Sequence, residues 1–408
     1  MSQAARTLGA DDVFEAFNRA QGMGTVSDPY PRFAELRRKA PVLEAPMSAF
    51  SSLSLGASTT WAALSFEAVA SVLRDGSTFS SAGYARLMGL VMGHTILEMD
   101  EPEHHRYRSL LNESFTLGAM RRWEAGIVRP VIEAHVDRFA RDGRVDLVRA
   151  LTFPFPVEVI ARMIGIPEED RALFHRLAVE LISIAFDPPR GLAASAGLRD
   201  LFARWLAVRR AKPEDDLLSQ LAQAELDGIR LSDDEIFAFL RLLAPAGAET
   251  TYRSSSNLLC GLLSDPEQLE LVWRDRAWLG PAIEEGLRWE APLTSIQRFT
   301  TRACELEGVP LPADTAISVI LGAANRDETR WADPDRFDVK RPARTHAAFA
   351  FGPHTCLGKH LARMETRALL EILFERLPGL RLDPDAEGVA ITGLTFRAPL
   401  ALPVVWES

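Results

Sequence analysis

Apolar residues recur at helical spacing along most of the chain. Ser65 is suited to cap a helix N-terminus, and Phe66, Val69, Val72 and Leu73 after it share one face, so a helix is predicted to Asp75. The same reasoning predicts helices over residues 31–40, 100–113, 120–141, 157–164, 168–185, 198–210 and 215–226. Ser232-Asp233-Asp234-Glu235 has the capping-box pattern and opens a run to about Leu263. At 1.5 Å per residue that helix would span roughly 45 Å. It is apolar on several faces, so it is predicted to cross the core. Asp265-Pro266 opens the next helix and 277–289 forms another. A last one is predicted over 359–377, with Leu361, Met364, Ala368, Leu369, Ile372 and Leu373 apolar. Residues 41–64, 292–320 and 379–406 read as short strands. Residues 77–97 hold Gly83, Gly89 and Gly93 without sustained period and read as a long loop. The pattern is mainly α with a small β portion.

Composition narrows the class. The 408 residues are 47% hydrophobic and 25% charged, which suits a large globular core. No linker, repeat or compositional break divides them, so a single domain over 1–408 is expected, with 1–27 a less ordered extension. A formal net charge of −10 argues against a nucleic-acid partner. Cys260, Cys304 and Cys356 make neither a disulfide framework nor a metal-binding pair, which fits a cytoplasmic protein. Residues 1–25 include Arg6, Asp11, Asp12, Glu15 and Arg19 and have no apolar run of anchor length, so no membrane anchor is expected.

Three stretches carry candidate chemistry. In Phe349-Ala350-Phe351-Gly352-Pro353-His354-Thr355-Cys356-Leu357-Gly358, the cysteine sits at or just before a predicted helix N-terminus. Free N–H groups and the helix dipole lower a thiol pKa there, and a thiolate is a soft ligand for iron. An ordinary buried cysteine in a loop is the plainer reading. In the long central helix, Ala246-Gly247-Ala248-Glu249-Thr250-Thr251 follows Pro245. Proline removes an N–H and presses on the carbonyl of Arg241, and the hydroxyls can bond carbonyls one turn back. Such a helix can open a groove for a small ligand and water. A glycine kink with solvent-facing Glu and Thr is the rival reading. Third, Glu285 and Arg288 share a helix face, as ordinary surface pairs also do.

The cysteine loop resembles the haem-binding loop of the cytochromes P450, Phe-Gly-x-Gly-x-His-x-Cys-x-Gly. Phe349, Gly352, His354, Cys356 and Gly358 match it, while Ala350 replaces the family's first glycine. The central run resembles the family's oxygen-activation pattern, small-Gly-x-acid-Thr. By that resemblance Glu249 relays protons and Thr250 steadies the activated dioxygen. Glu285 and Arg288 resemble the family's Glu-x-x-Arg pair, with Arg336 the best match for its third member and Arg341 the near alternative. His104, Arg108, Arg298 and His354 match ligands of the haem propionates, and Ala246 lies at the haem as well.

The resemblance implies a bacterial-type P450 holding haem b (iron protoporphyrin IX), with the Cys356 thiolate as axial ligand. It would put one atom of O2 into an apolar small molecule. Two electrons would come from a separate ferredoxin or flavodoxin, since no flavin or iron–sulfur segment is present. A monomer is expected. Pocket candidates by alignment are Met92, His94, Leu97, Leu242, Ala246, Thr294, Ile296, Thr395 and Phe396. Lys340, Arg341, Arg344, Lys359, Arg363 and Arg367 cluster around the cysteine loop and are expected to steer an acidic partner. The rival readings are a peroxygenase using H2O2, a non-catalytic haem-thiolate sensor or carrier, and a helical protein without haem.

Overall fold

The computed structural model describes residues 10–51, 59–226, 228–386 and 388–407. Its helices are α1 (Ala10–Ala20), α2 (Tyr30–Lys39), α3 (Phe66–Arg74), α4 (Met88–Met92), α5 (Glu103–Asn112), α6 (Leu117–Trp123), α7 (Arg129–Asp137) and α8 (Pro154–Ile164). They continue with α9 (Glu168–Leu181), α10 (Pro188–Ala211), α11 (Leu217–Gln223), α12 (Asp233–Leu263), α13 (Pro266–Arg274), α14 (Leu279–Trp289), α15 (Leu321–Ala324) and α16 (Lys359–Arg376). The predicted mainly α chain with a small β portion is what the structure shows.

α12 runs through the main apolar core. Both halves of its capping box form: the Ser232 hydroxyl accepts from the Glu235 N–H, and the Glu235 carboxylate accepts from the Ser232 N–H. Pro245 lies inside it without ending it. α8, α10, α14 and α16 pack around it. A five-stranded sheet stands to one side, in the order Val42–Pro46, Thr59–Ala63, Ala316–Val319, Ile296–Thr300, Phe79–Ser80. Ala316–Val319 is parallel to Thr59–Ala63, and the other neighbours are antiparallel. No helix among the described residues is long and apolar enough to cross a membrane.

Several expectations change. The helix predicted over 120–141 is α6 and α7, joined by a π-helical turn at Glu124–Val128. The long loop at 77–97 contains α4 and a 3-10 turn, Ala82–Arg86. The N-terminal stretch expected to be less ordered begins, within the described residues, with α1. Phe17, Asn18, Gln21 and Met23 are buried there. Main-chain bonds tie it to the C-terminal turn: Leu394 N–H donates to Gln21 O (2.9 Å) and Gly393 N–H to Val26 O (2.8 Å). Charged residues hid this from composition, because the described buried side chains of α1, Phe17 and Asn18, are few among them.

Candidate active site

The cysteine loop is shaped by its backbone. Gly352 has φ +68°, and a Cβ there would lie 2.3 Å from the Leu73 carbonyl oxygen, so only glycine fits. Ala350 also adopts positive φ (55°), which is why a glycine suits that position. A Cβ on Gly358 would meet nothing within 4 Å, so its bare face is open. Cys356 N–H donates to Phe349 O (2.9 Å), closing the loop before α16. The Cys356 side chain is exposed, although protein surrounds it on most sides, so it faces into the molecule. Burial pushes its thiol pKa up, against the Gly358 N–H and the charges of Arg108, Lys359 and Arg363. The helix start is therefore one of several lowering influences, and desolvation outweighs them.

Four cation-forming side chains converge beside this loop. His104 and His354 stack with centroids 4.1 Å apart. Arg108 Nη2 donates to Thr355 O (2.6 Å), and Arg298 Nη1 to Gln297 O (2.7 Å). Neither arginine forms an ion pair with a carboxylate among the described residues, and burial lowers both their pKa values. Burial, then Arg298, His104 and Arg108, lower His354 to about 3. His104 Nε2 is buried without a partner among the described residues, while Nδ1 lies 3.4 Å from Glu101. Such a cluster calls for an anion.

On α12, Thr250 Oγ1 donates to Ala246 O (2.7 Å). Ala246 itself is exposed within a largely buried helix. Glu249 is not solvent-facing: it is buried and ion-paired with Arg253, whose Nε donates to Oε2 at 2.9 Å. Thr251 donates to Glu365 on α16 (3.2 Å). Glu365 is fully buried, its Oε1 has no partner among the described residues, and burial pushes its pKa up to about 8. Arg253 and Glu365 were missed, although each carried a signal. Arg253 is i+4 from Glu249. Glu365 interrupts the apolar face of its helix.

The Glu-x-x-Arg pair is buried. Arg288 Nε and Nη2 donate to Glu285 Oε2 and Oε1 at 2.7 and 2.8 Å. The third member is Arg341, whose Nε donates to Glu285 Oε1 (3.0 Å). Arg336 offers only its backbone carbonyl, to Arg288 and Arg341, so the expectation for its side chain is corrected. The irregular segment puts Arg341 inside, where its donors also satisfy the carbonyls of Asp333 and Arg336.

The pocket and patch expectations divide. Leu97, Leu242, Ile296 and Phe396 are partly exposed, and Met92 is buried. Thr294 and Thr395 are buried by protein instead, with Thr294 Oγ1 bonded to Leu394 O (2.6 Å). His94 is hydrogen-bonded to carboxylates. Its exposed ring sits between Glu98 (2.9 Å) and Glu103 (3.0 Å). Of the basic patch, Arg341 points inward and Arg363 pairs with Glu284 (2.6 Å) over the Phe349 ring.

A family profile described as cytochrome P450 matches residues 277–381. The chain is 35% identical to the cytochrome P450 monooxygenase PikC of Streptomyces venezuelae, over 95% of this chain and 93% of that one. It is 36% identical to a steroid C26-monooxygenase of Mycobacterium tuberculosis, over 85% and 94%. The chain belongs to the cytochrome P450 family. Among solved P450 structures, that of CYP109E1 from Bacillus megaterium with testosterone superposes with TM-score 0.84 at 29% identity, covering 93% of this chain and 100% of that one. This P450 is thus a monooxygenase of a family that binds haem through a cysteine thiolate. Its residues fit such a group. The unpaired Arg108 and Arg298 and the orphaned His104 Nε2 suit two propionates, and the open face of Gly358 leaves room for a flat ring.

Proposed function

We propose that this P450 hydroxylates an apolar small molecule with O2 and two electrons from a separate acidic redox protein. The observation that carries the reading is that Arg108 and Arg298 both act on His354 of the cysteine loop, and neither forms an ion pair with a carboxylate among the described residues. When bound, haem supplies dioxygen binding and reductive cleavage. Cys356 would ligate the iron, with the Gly358 N–H and Arg108 offsetting the charge on sulfur. His104, Arg108, Arg298 and His354 would hold the propionates. The Thr250 hydroxyl spends its proton on Ala246 O, so its lone pairs remain to accept from a water. Glu249 would supply protons through that water. Met92, Leu97, Leu242, Ala246, Ile296 and Phe396 would turn an apolar face to substrate and exclude bulk water.

The chemical class of the pocket suits terpenoids, steroids, fatty acids or aromatics. Steroids are the first class to test, because a relative is named for one and another was solved with one. The redox protein, a ferredoxin or flavodoxin, would dock on the cysteine side. A groove of about 990 Å³ there is lined by Arg74, Arg344 and Lys359, which keep the positive character that the ion-paired Arg341 and Arg363 lose. Replacing Cys356 by His tests the reading. The ferrous carbon monoxide complex should lose its red-shifted Soret band. If the band stays, while Cys260→Ser or Cys304→Ser removes it, the ligand is elsewhere.

A further inference from the structure

The guanidinium that holds Glu249 is itself held by the N-terminal segment. Arg253 is fully buried. Its Nε and Nη2 reach Glu249 Oε2 at 2.9 and 2.8 Å. Its Nη2 also donates to Asn18 Oδ1 (2.7 Å) and its Nη1 to Met23 Sδ (3.0 Å). The rings of Tyr252, Phe396 and Phe17 surround it at 5.1, 5.3 and 5.8 Å. A buried guanidinium must satisfy its donors within the protein, and here two acceptors come from residues 18 and 23. Without them its donors would turn further onto Glu249 or draw in water. The segment is fixed in turn by its bonds to residues 393 and 394 and by an ion pair between Glu15 and Arg149 (2.9 Å). Only one oxygen of Glu249 is engaged, and no partner of Oε1 is found among the described residues. The carboxylate borders a narrow cleft between α8, α9 and α12, lined by Val157, Ile182 and Pro245.

We propose that Asn18 and Met23 are positioning residues for proton delivery. They hold Arg253 so that it fixes one oxygen of Glu249 and leaves the other for a water. The inference rests on the proton-relay reading of Glu249 given above. It makes residues of α1 and the turn after it part of the oxygen-activating machinery, far from it in sequence.

Asn18→Leu removes the acceptor at similar size, and Asn18→Asp keeps one. Met23→Leu removes the sulfur and keeps the bulk, and it serves if Asn18→Leu does not fold. Each is prepared as the haem-loaded full chain, with Glu249→Gln as reference. Peroxide released per NADH consumed is followed with a ferredoxin electron supply and testosterone as probe, in H2O and D2O. Amide hydrogen exchange of residues 245–253 is measured on the resting protein. Expected for Asn18→Leu is a rise of about threefold in peroxide yield and a larger solvent isotope effect. That is a small part of the ~100-fold that loss of a proton relay removes. Exchange across 245–253 should quicken, the testosterone-induced spectral shift should stay, and Asn18→Asp should restore the wild-type values. If Asn18→Leu and Met23→Leu leave peroxide yield, isotope effect and exchange as in the wild type, the inference is overturned while the relay stands. If Glu249→Gln also changes nothing, the relay reading falls and this inference with it.

Discussion

Two buried carboxylate–guanidinium pairs are built differently. Glu285–Arg288 is saturated. Both carboxylate oxygens take arginine donors, and Oε1 also accepts from the Asp338 N–H (2.9 Å) and Arg341. Arg288 spends its remaining donors on the carbonyls of Asn325 (3.0 Å), Pro334 (2.7 Å) and Arg336 (3.1 Å). Glu249–Arg253 joins through one carboxylate oxygen, and the arginine's other partners are an amide and a thioether. A saturated pair can only hold backbone in place, which the irregular segment before the cysteine loop needs. A pair with a spare oxygen can exchange a proton.

Breaking the saturated pair should have the largest effect. Arg288→Leu takes two donors from the buried Glu285 carboxylate, leaving it Arg341 and the Asp338 N–H, and removes the donor from the Asn325 and Pro334 carbonyls, at a cost of about 3–5 kcal/mol. The measurement is denaturant unfolding together with haem content of the purified protein. A stable, haem-loaded Arg288→Leu would mean the network is not what fixes this side.

Glu365 sharpens the comparison, because it is a buried carboxyl with no ion-pair partner among the described residues. Its pKa is pushed up to about 8 by burial, with the Thr251 hydrogen bond opposing. The folded pKa lies above the unfolded value of about 4.3. The folded state therefore binds more protons, and this group's contribution is fully present below pH ~4 and is lost as pH rises through about 8. Glu365→Gln removes the titration, so its stability relative to wild type should climb from pH 5 to pH 9. The gain should be on the order of 3 kcal/mol. Parallel melting curves at the two ends would show no pH-dependent gap if the carboxyl is not held neutral.

Arg253→Leu should cost less than Arg288→Leu, about 2 kcal/mol, because fewer charge-assisted bonds are lost and the Glu249 cleft can admit water. The double variant with Glu249→Leu should recover part of that, since no charge is then stranded. Equal losses for Arg253→Leu and Arg288→Leu would erase the distinction between the pairs.

What the sequence disclosed follows the same division. Glu285 with Arg288, and Glu249 with Arg253, are each fixed by helix periodicity, which puts i+3 and i+4 neighbours on one face. Periodicity ends where the third partners begin. Arg341 and Arg336 lie in a stretch without regular structure, so only tertiary packing decides which turns inward. Asn18 and Met23 reach Arg253 across more than half the chain, and no local pattern records that. Glu365 was legible and overlooked: it shares a face with Leu361, Ala368, Leu369 and Ile372, where a charge is out of place.

The smallest effect belongs to Ala350, on the side the saturated pair secures. Its φ of 55° lies in the left-handed region, which costs an L-residue roughly 1–2 kcal/mol. Glycine would remove that strain but would loosen the unfolded chain, which offsets about 0.4–1 kcal/mol. The methyl group also packs beside Phe351 against the cluster around Leu73, and glycine forfeits that contact. Ala350→Gly should therefore stabilise by only about 0.5 kcal/mol and leave the Soret band in place. The alanine is tolerated because the loop is held from outside, by Arg341 and Arg288 through Glu285 and by Leu73 against Gly352. That dependence can be measured. In an Arg341→Gln background, where the hold is weaker, a strained loop can relax, so the benefit of glycine should shrink. An undiminished gain would mean that the strain at Ala350 is local to the loop and that the saturated pair does not impose it.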